Sequence, residues 1–290
     1  RWHSYNSFNR SLRITHGEFF MANVAGYLRL VRLPNVFTAL ADVLAGWAIS
    51  HIHDAPPLQG YLPVAGASAA LYLSGMAFND IADRDEDAET RPQRPIPSGQ
   101  VSLRGALICA AVLMAIGLGL AAWCGIGSLR RAGPLAVAIL FYNFRSKKHV
   151  ITGPLMLGFC RFANVQLGMS GHPDFDAYAQ NFHVWEWPWA PALAGGLYAA
   201  GVTAFSAQEE TGKRARAIVL GWLFCGAAML FAGTGRGREA WLALFPLALV
   251  LSFMTHRLRR LGTPEAAKGL VRAGVMGICV MYAGLILGFA

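Results

Sequence analysis

The sequence predicts an all-α, polytopic membrane protein of nine spanning helices, and three observations carry that prediction. Of its 290 residues, 55% are hydrophobic and only 14% are charged, where a soluble domain carries about 25% charge. Apolar segments near the length of a bilayer crossing recur from one end of the chain to the other. Lys and Arg fall on alternate loops between those segments, the pattern of charge retained on the inner side of a membrane.

The nine segments cover roughly 35–51, 61–79, 105–124, 132–142, 151–170, 188–206, 217–234, 240–255 and 270–289. Arg29, Arg32 and Arg-rich residues 1–20 precede the first. With the N-terminus inside, the inner loops then hold Arg84, Arg91, Arg94 and Arg104, next Arg145, Lys147 and Lys148, then Lys213, Arg214 and Arg216, and last Arg257, Arg259, Arg260 and Lys268. Only Arg130, Arg131, Arg236 and Arg238 fall in outer loops, and Arg161 and Arg272 fall inside segments. The net charge of +9 is therefore mostly topology. It carries no aromatic-basic nucleic-acid module. The expected place is a bacterial cytoplasmic membrane, with the N-terminus and the acidic motifs on the cytoplasmic side. No cleavable signal peptide precedes the first segment. Met21 opens a segment typical of the approach to a first span, so residues 1–21 read as an N-terminal extension and 22–290 as one domain.

The second segment ends in Asn79-Asp80-Ile81-Ala82-Asp83-Arg84-Asp85-Glu86-Asp87. Charge near lipid costs about 2.5–3.5 kcal/mol per ionised residue at a helix centre on insertion scales, so an acidic cluster at a span's end has a cationic partner or a task. Asp80, Asp83 and Asp87 stand at i, i+3 and i+7, which places all three on one face of a continuing helix. Convergent carboxylates suit Mg²⁺, which completes its shell with water and phosphate oxygens. The plain alternative is a solvated acidic helix end.

Next comes Thr90-Arg91-Pro92-Gln93-Arg94-Pro95-Ile96-Pro97-Ser98-Gly99, whose prolines stop a helix and favour an extended path. Arg91 and Arg94 match a diphosphate in geometry, or are ordinary inner-loop charge. The following inner loop offers Tyr142, Lys147 and Lys148 as phosphate or substrate contacts, against the same topological reading. Arg161 lies too deep in the fifth segment to snorkel and must face the bundle interior, with Asn164 on its helical face. Its candidate partners are Asp42, the acidic cluster or a bound diphosphate. Glu209 and Glu210 form either a second carboxylate site or part of a simple i, i+4 pair with Lys213.

Other features carry less. The aromatics from Phe175 to Trp189 read as an interfacial belt. Cys109, Cys124, Cys160, Cys225 and Cys279 read as buried, inert thiols. His51 and His53 are too few to define a metal site.

Taken together, the Asn79-Asp80-x-x-Asp83-x-x-x-Asp87 motif, the Arg-Pro-x-x-Arg-Pro-Ile-Pro-Ser-Gly that follows, the Tyr142 loop with Lys147 and Lys148, and Arg32-Leu33-Pro34-Asn35 resemble the UbiA superfamily of intramembrane prenyltransferases. Gly153-Pro154 through Arg161, Asn164 and Gly168-Met169-Ser170 is similar to its EboC-like group. The resemblance implies helices around a central cleft open to lipid, with two Asp-rich motifs holding Mg²⁺ against a prenyl diphosphate. It implies metal ligation and catalysis by Asp80, Asp83 and Asp87, assisted by Asn79, with Lys147 acting on the diphosphate. Arg91, Arg94 and Lys148 become diphosphate candidates; Arg161 and Asn164 belong to the subgroup's pattern, and we read them, with Tyr142, as substrate contacts. The expected reaction is transfer of the prenyl group to a small lipophilic acceptor, often aromatic. The second motif departs from the family: Gln208, Glu209 and Glu210 stand where several aspartates are usual. A carrier or assembly subunit that retains the fold is the alternative that this departure supports. The pattern of a CDP-alcohol phosphotransferase is absent, and the nine segments exclude a soluble isoprenoid synthase.

Overall fold

The computed structural model describes residues 24–52, 60–172, 175–176, 189–206, 215–233 and 239–289. All regular structure among them is helical. An approach helix over residues 24–30 leads to a short 3-10 turn, Leu33–Asn35, and then to α1 (Val36–Ser50). The chain continues through α2 (Tyr61–Ala82), the short α3 (Arg84–Thr90), α4 (Leu103–Cys124) and α5 (Ile126–Phe141). A wider π turn over Tyr142–Ser146 precedes α6 (Thr152–Met169). Then follow α7 (Trp189–Ser206), α8 (Ala215–Gly233), α9 (Glu239–Leu261) and α10 (Pro264–Phe289). Each expected apolar segment coincides with one of the long helices. Five helical stretches, Val24–Ser50, α2, α4, α9 and α10, are long and apolar enough to cross a bilayer by themselves. Length and composition alone therefore do not establish the count of nine.

Local chemistry explains the boundaries. Ser102 caps α4, accepting from the Gly105 amide at 3.1 Å, which satisfies one of the free amides of a first turn. Gly125 separates α4 from α5 at φ 126°, a backbone region that glycine enters without penalty. α5 starts earlier than the apolar pattern indicates, and Arg130 and Arg131 lie inside it. Asp176 accounts for this, standing 3.6 Å from Arg130 and 3.5 Å from Arg131.

The helices pack through small residues, as expected where lipid supplies no hydrophobic drive between them. Gly46 of α1 lies against the backbone of Val165, and Gly168 of α6 lies against the backbone of Val43. A methyl group at either position would meet main chain, so this crossing depends on both glycines. Gly158 and Gly196 play the same part between α6 and α7. The result is a cavity between α1, α2, α5 and α6, bordered by Ala39, Tyr72, Met76, Leu135, Ile139 and Leu157. The five cysteines are free; Cys225 is buried, whereas Cys124 and Cys279 face outward, contrary to the buried expectation. Both sit on helix surfaces where lipid, like core, accepts a thiol.

Candidate functional site

Two polar clusters are tied to the cavity: one, called its mouth, through Asn143, which lines the cavity and bonds Asn79 of the acidic motif, and one, called its inner end, through Asp42, Arg161 and Asn164, which line it directly. The mouth is built on the acidic motif. α2 does not run straight through it: Asp83 takes φ −94° and ψ 2°, and α3 restarts at Arg84. Backbone bonds from Asp83 N to Asn79 O and from Asp87 N to Asp83 O carry helical spacing across the break. Asp80 and Asp87 are buried and Asp83 is partly exposed.

Each carboxylate has its own cation. Asp80 Oδ1 lies 2.6 Å from Arg32 Nη2 and 3.2 Å from Arg94 Nη1. Asp83 Oδ1 lies 2.5 Å from Lys147 Nζ, and Asp87 Oδ1 lies 3.7 Å from Arg91 Nη1. Arg32 Nη2 also donates to Asn79 Oδ1, and Asn79 Nδ2 donates to Asn143 Oδ1 at 3.1 Å. Asn143 in turn donates to the carbonyls of Gly75 and Ile139, locking the π turn against α2. Lys147 N bonds Tyr142 O across that turn. The extra residue aims Lys147 at Asp83, a use typical of π turns at functional sites.

The proline segment differs from the extended path expected of it. It folds into consecutive turns, with Arg94 N bonded to Arg91 O, Ser98 N to Arg94 O and Val101 N to Pro95 O. The fixed φ of proline suits a turn as well as an extended strand, and Gly99 supplies φ 75°. Turning is what returns Arg94 to Asp80. Lys148 lies further out and pairs with Glu86 at 2.7 Å, with both side chains largely exposed. The hydrogen bond from Lys148 holds the Glu86 carboxyl below its ordinary value, and the same bond pushes Lys148 up.

The inner cluster centres on Asp42, which is fully buried in α1. Arg161 of α6 meets it at 2.8 Å, so its anion is the one within the first span rather than the acidic motif. Arg161 Nη1 also donates to Thr38 O, and Nη2 donates to Thr38 Oγ1. Asn164 donates to Asp42 Oδ2 and to Ala39 O, and accepts from Ser68 Oγ at 2.7 Å. Tyr282, on α10, donates to Asp42 Oδ1 at 2.7 Å. Arg161, Asn164, Tyr142 and Asn143 all border the cavity, so one space joins the two clusters.

Arg32, Asn143 and Tyr282 are the residues that sequence reasoning did not place in the site, and Asp42 entered it only as one of three candidate partners of Arg161. Arg32 left a signal in Arg-Leu-Pro-Asn before the first span, and it adopts a left-handed φ of 49° there. Tyr282 left none. Gln208, Glu209, Glu210 and Lys213 lie outside the described residues, as do residues 1–23 and His53.

A divalent cation is the family's expectation at the mouth. Among the described residues, no three His, Cys, Asp or Glu side chains converge as a ready metal cluster. The donor chemistry nevertheless fits. The oxygens are hard carboxylate donors, and Asp80 Oδ2 is buried without a hydrogen-bond partner.

The UbiA prenyltransferase family model matches residues 39–276. The chain belongs to this family. It is 35% identical over 131 residues to a digeranylgeranylglyceryl phosphate synthase of Metallosphaera sedula, covering 45% of this chain and 46% of that protein. It is 39% identical over 116 residues to the synthase of the same name from Methanothrix thermoacetophila, covering 39% and 40%. The chain thus matches about half the length of these relatives. Among solved structures, a UbiA homologue from Aeropyrum pernix superposes with a TM-score of 0.67 at 22% identity, covering 88% of this chain and 98% of that one. A UbiA homologue from Archaeoglobus fulgidus bound to GPP and Mg²⁺ gives 0.64 at 16% identity, covering 90% and 99%. At these identities the likeness is one of fold.

Proposed function

We propose that the protein transfers a prenyl group from a prenyl diphosphate to a lipophilic acceptor inside the membrane, with its acidic motif on the cytoplasmic side. The observation that carries this reading is the meeting of Asp80, Asp83, Arg32, Arg94 and Lys147 in one cluster, joined through Asn79 to Asn143 in the wall of an apolar cavity. Asp80, Asp83 and Asp87, with Asn79, would hold Mg²⁺. Bound there, the ion supplies charge to the departing diphosphate oxygens. Arg32, Arg94 and Lys147 exchange carboxylate for diphosphate and stabilise the negative charge that develops as the allylic C–O bond breaks. Leu135, Ile139 and Leu157 exclude water from the allylic cation, and the rings of Tyr72 and Tyr142 offer it π faces. The acceptor's nucleophile then takes the carbon and releases its proton.

The names of the relatives add glyceryl lipids to aromatic compounds as acceptor classes to test. The test is labelled geranyl diphosphate in proteoliposomes with Mg²⁺ and both acceptor classes. Transfer is expected, and Asp83→Ala should abolish it. A purified chain that neither binds nor consumes prenyl diphosphate ends the proposal. The composition of Gln208, Glu209 and Glu210 favours a second reading, a carrier that binds diphosphate without turnover. Binding without product in that assay would select it.

A further inference from the structure

We infer that the inner end of the cavity, where Arg161 is held by Asp42, receives an uncharged oxygen of the prenyl acceptor. This rests on the transfer reading above and specifies what the second substrate must look like.

The first ground is donor accounting. A guanidinium has five N–H groups. Thr38 O, Asp42 Oδ2 and Thr38 Oγ1 take three of those on Arg161, which leaves the Nε hydrogen and one on Nη2. No nitrogen of Arg161 is a buried orphan, and the side chain borders the cavity with 16% exposure. Nε, which has no partner, is therefore not sealed in the interior, and it belongs to a side chain that lines the cavity. Every other polar atom of the cluster's centre is committed. Asp42 Oδ1 accepts from Tyr282, Asp42 Oδ2 from Arg161 and Asn164, and both hydrogens of the Asn164 amide are used. An apolar prenyl chain meets none of this donor capacity; an oxygen-bearing molecule does.

The second ground is charge. Arg161 and Asp42 cancel, and Asn164, Thr38, Ser68 and Tyr282 are neutral. Adding an anion would leave one uncompensated charge amid apolar walls, which is costly in a low dielectric. A carbonyl or hydroxyl oxygen fills the free donors with no such cost. The mouth is different, because its four cations, Arg32, Arg91, Arg94 and Lys147, exceed the three carboxylates Asp80, Asp83 and Asp87 by one, and Mg²⁺ would add to that excess. The two ends of one cavity thus sort two substrates by charge: the anionic diphosphate at the Asp80 end, the neutral head of the acceptor at the Arg161 end. Tyr282 and Asn164 act as positioning residues that hold the Asp42 carboxylate, and through it the guanidinium.

The test uses the full chain in nanodiscs and two matched probe pairs: methyl 4-hydroxybenzoate against 4-hydroxybenzoate, and an alkylglycerol against its phosphate. At pH 7 at least one neutral probe should bind about tenfold tighter than its anionic partner. The paired change Arg161→Gln with Asp42→Asn keeps size and removes both charges, avoiding an unpaired buried ion. It should erase that preference while geranyl diphosphate with Mg²⁺ still binds within about threefold, which also reports that the chain is folded. Tighter or equal binding of the anions, no binding of any probe, or a preference that survives the paired change overturns the inference. A chain that shows the preference but binds no geranyl diphosphate loses the transfer reading and keeps the neutral-ligand assignment.

Discussion

The mouth and the inner end of the cavity use the same chemistry, carboxylate against arginine, in opposite ways. At the inner end the carboxylate is saturated. Both oxygens of Asp42 are bonded, and Asn164 spends both donors. At the mouth, polar atoms are buried but left short. Asp80 Oδ2, Arg32 Nε and Ser146 Oγ lack hydrogen-bond partners, and Lys147 Nζ touches Asp83 without hydrogen-bond geometry. A saturated network in low dielectric is rigid, because any rearrangement strands a polar group. An under-satisfied one gains by accepting a ligand. The contrast teaches that the Asp42 carboxylate is scaffold, fixing Arg161 so that only the guanidinium's spare donors meet a ligand, whereas at the mouth the ionic partners themselves are open to exchange.

Removing one carboxylate from each end breaks the comparison most sharply. Asp83→Ala at the mouth should lower prenyl transfer by about a hundredfold or more, an effect of the size lost with one electrostatic stabiliser, with a smaller fall in the melting midpoint than at the inner end, because Asp83 is 22% exposed and water can replace it beside Lys147. Asp42→Ala at the inner end should instead destabilise the fold by about 3–5 kcal/mol, the usual result of stranding a buried charge. Thermal unfolding in detergent reads both variants. An unchanged midpoint in Asp42→Ala would remove the distinction between the two ends.

A smaller effect is expected from Arg32→Ala. It should raise the Kd for geranyl diphosphate about tenfold, near 1.4 kcal/mol, by removing one of the cations freed for the ligand. Equilibrium binding with and without EDTA checks it, and chelation should abolish ligand-induced stabilisation without moving the ligand-free midpoint. The smallest effect concerns the exposed rim. Glu86 is held below its ordinary value by Lys148, so its contribution is present above the usual glutamate pKa of 4.5 and fades as pH falls through the lower folded value. The midpoint difference between wild type and Glu86→Gln should be slight at pH 7 and should close in acid. A gap that widens in acid would reverse the assignment.

Much of the mouth was legible because its signals are local. Asp80, Asp83 and Asp87 announce themselves by spacing, and Arg91 and Arg94 by the prolines around them. What spacing did not supply was the sorting of partners. Arg94 reaches Asp80 only because the proline segment turns back, and Lys147 reaches Asp83 only because one residue is accommodated in a π turn after Phe141. Arg32 was visible as a residue but not as a ligand of Asp80, since its reach depends on a left-handed backbone at φ 49°. At the inner end, depth in the membrane alone required that Arg161 find an anion; which anion it found was a matter of packing.

The amino-acid sequence by itself therefore determined the helical, membrane-spanning class and the first carboxylate motif. Apolar length, positive charge and helical spacing are properties of neighbouring residues, and they survive without a fold. The tertiary structure decided which charges are spent and which are free. Asp42 and Tyr282 are 240 residues apart, and Arg161 lies 119 from Asp42. Asp42 and Arg161 meet because Gly46 and Gly168 let α1 and α6 approach to backbone contact, a distance that no local pattern encodes.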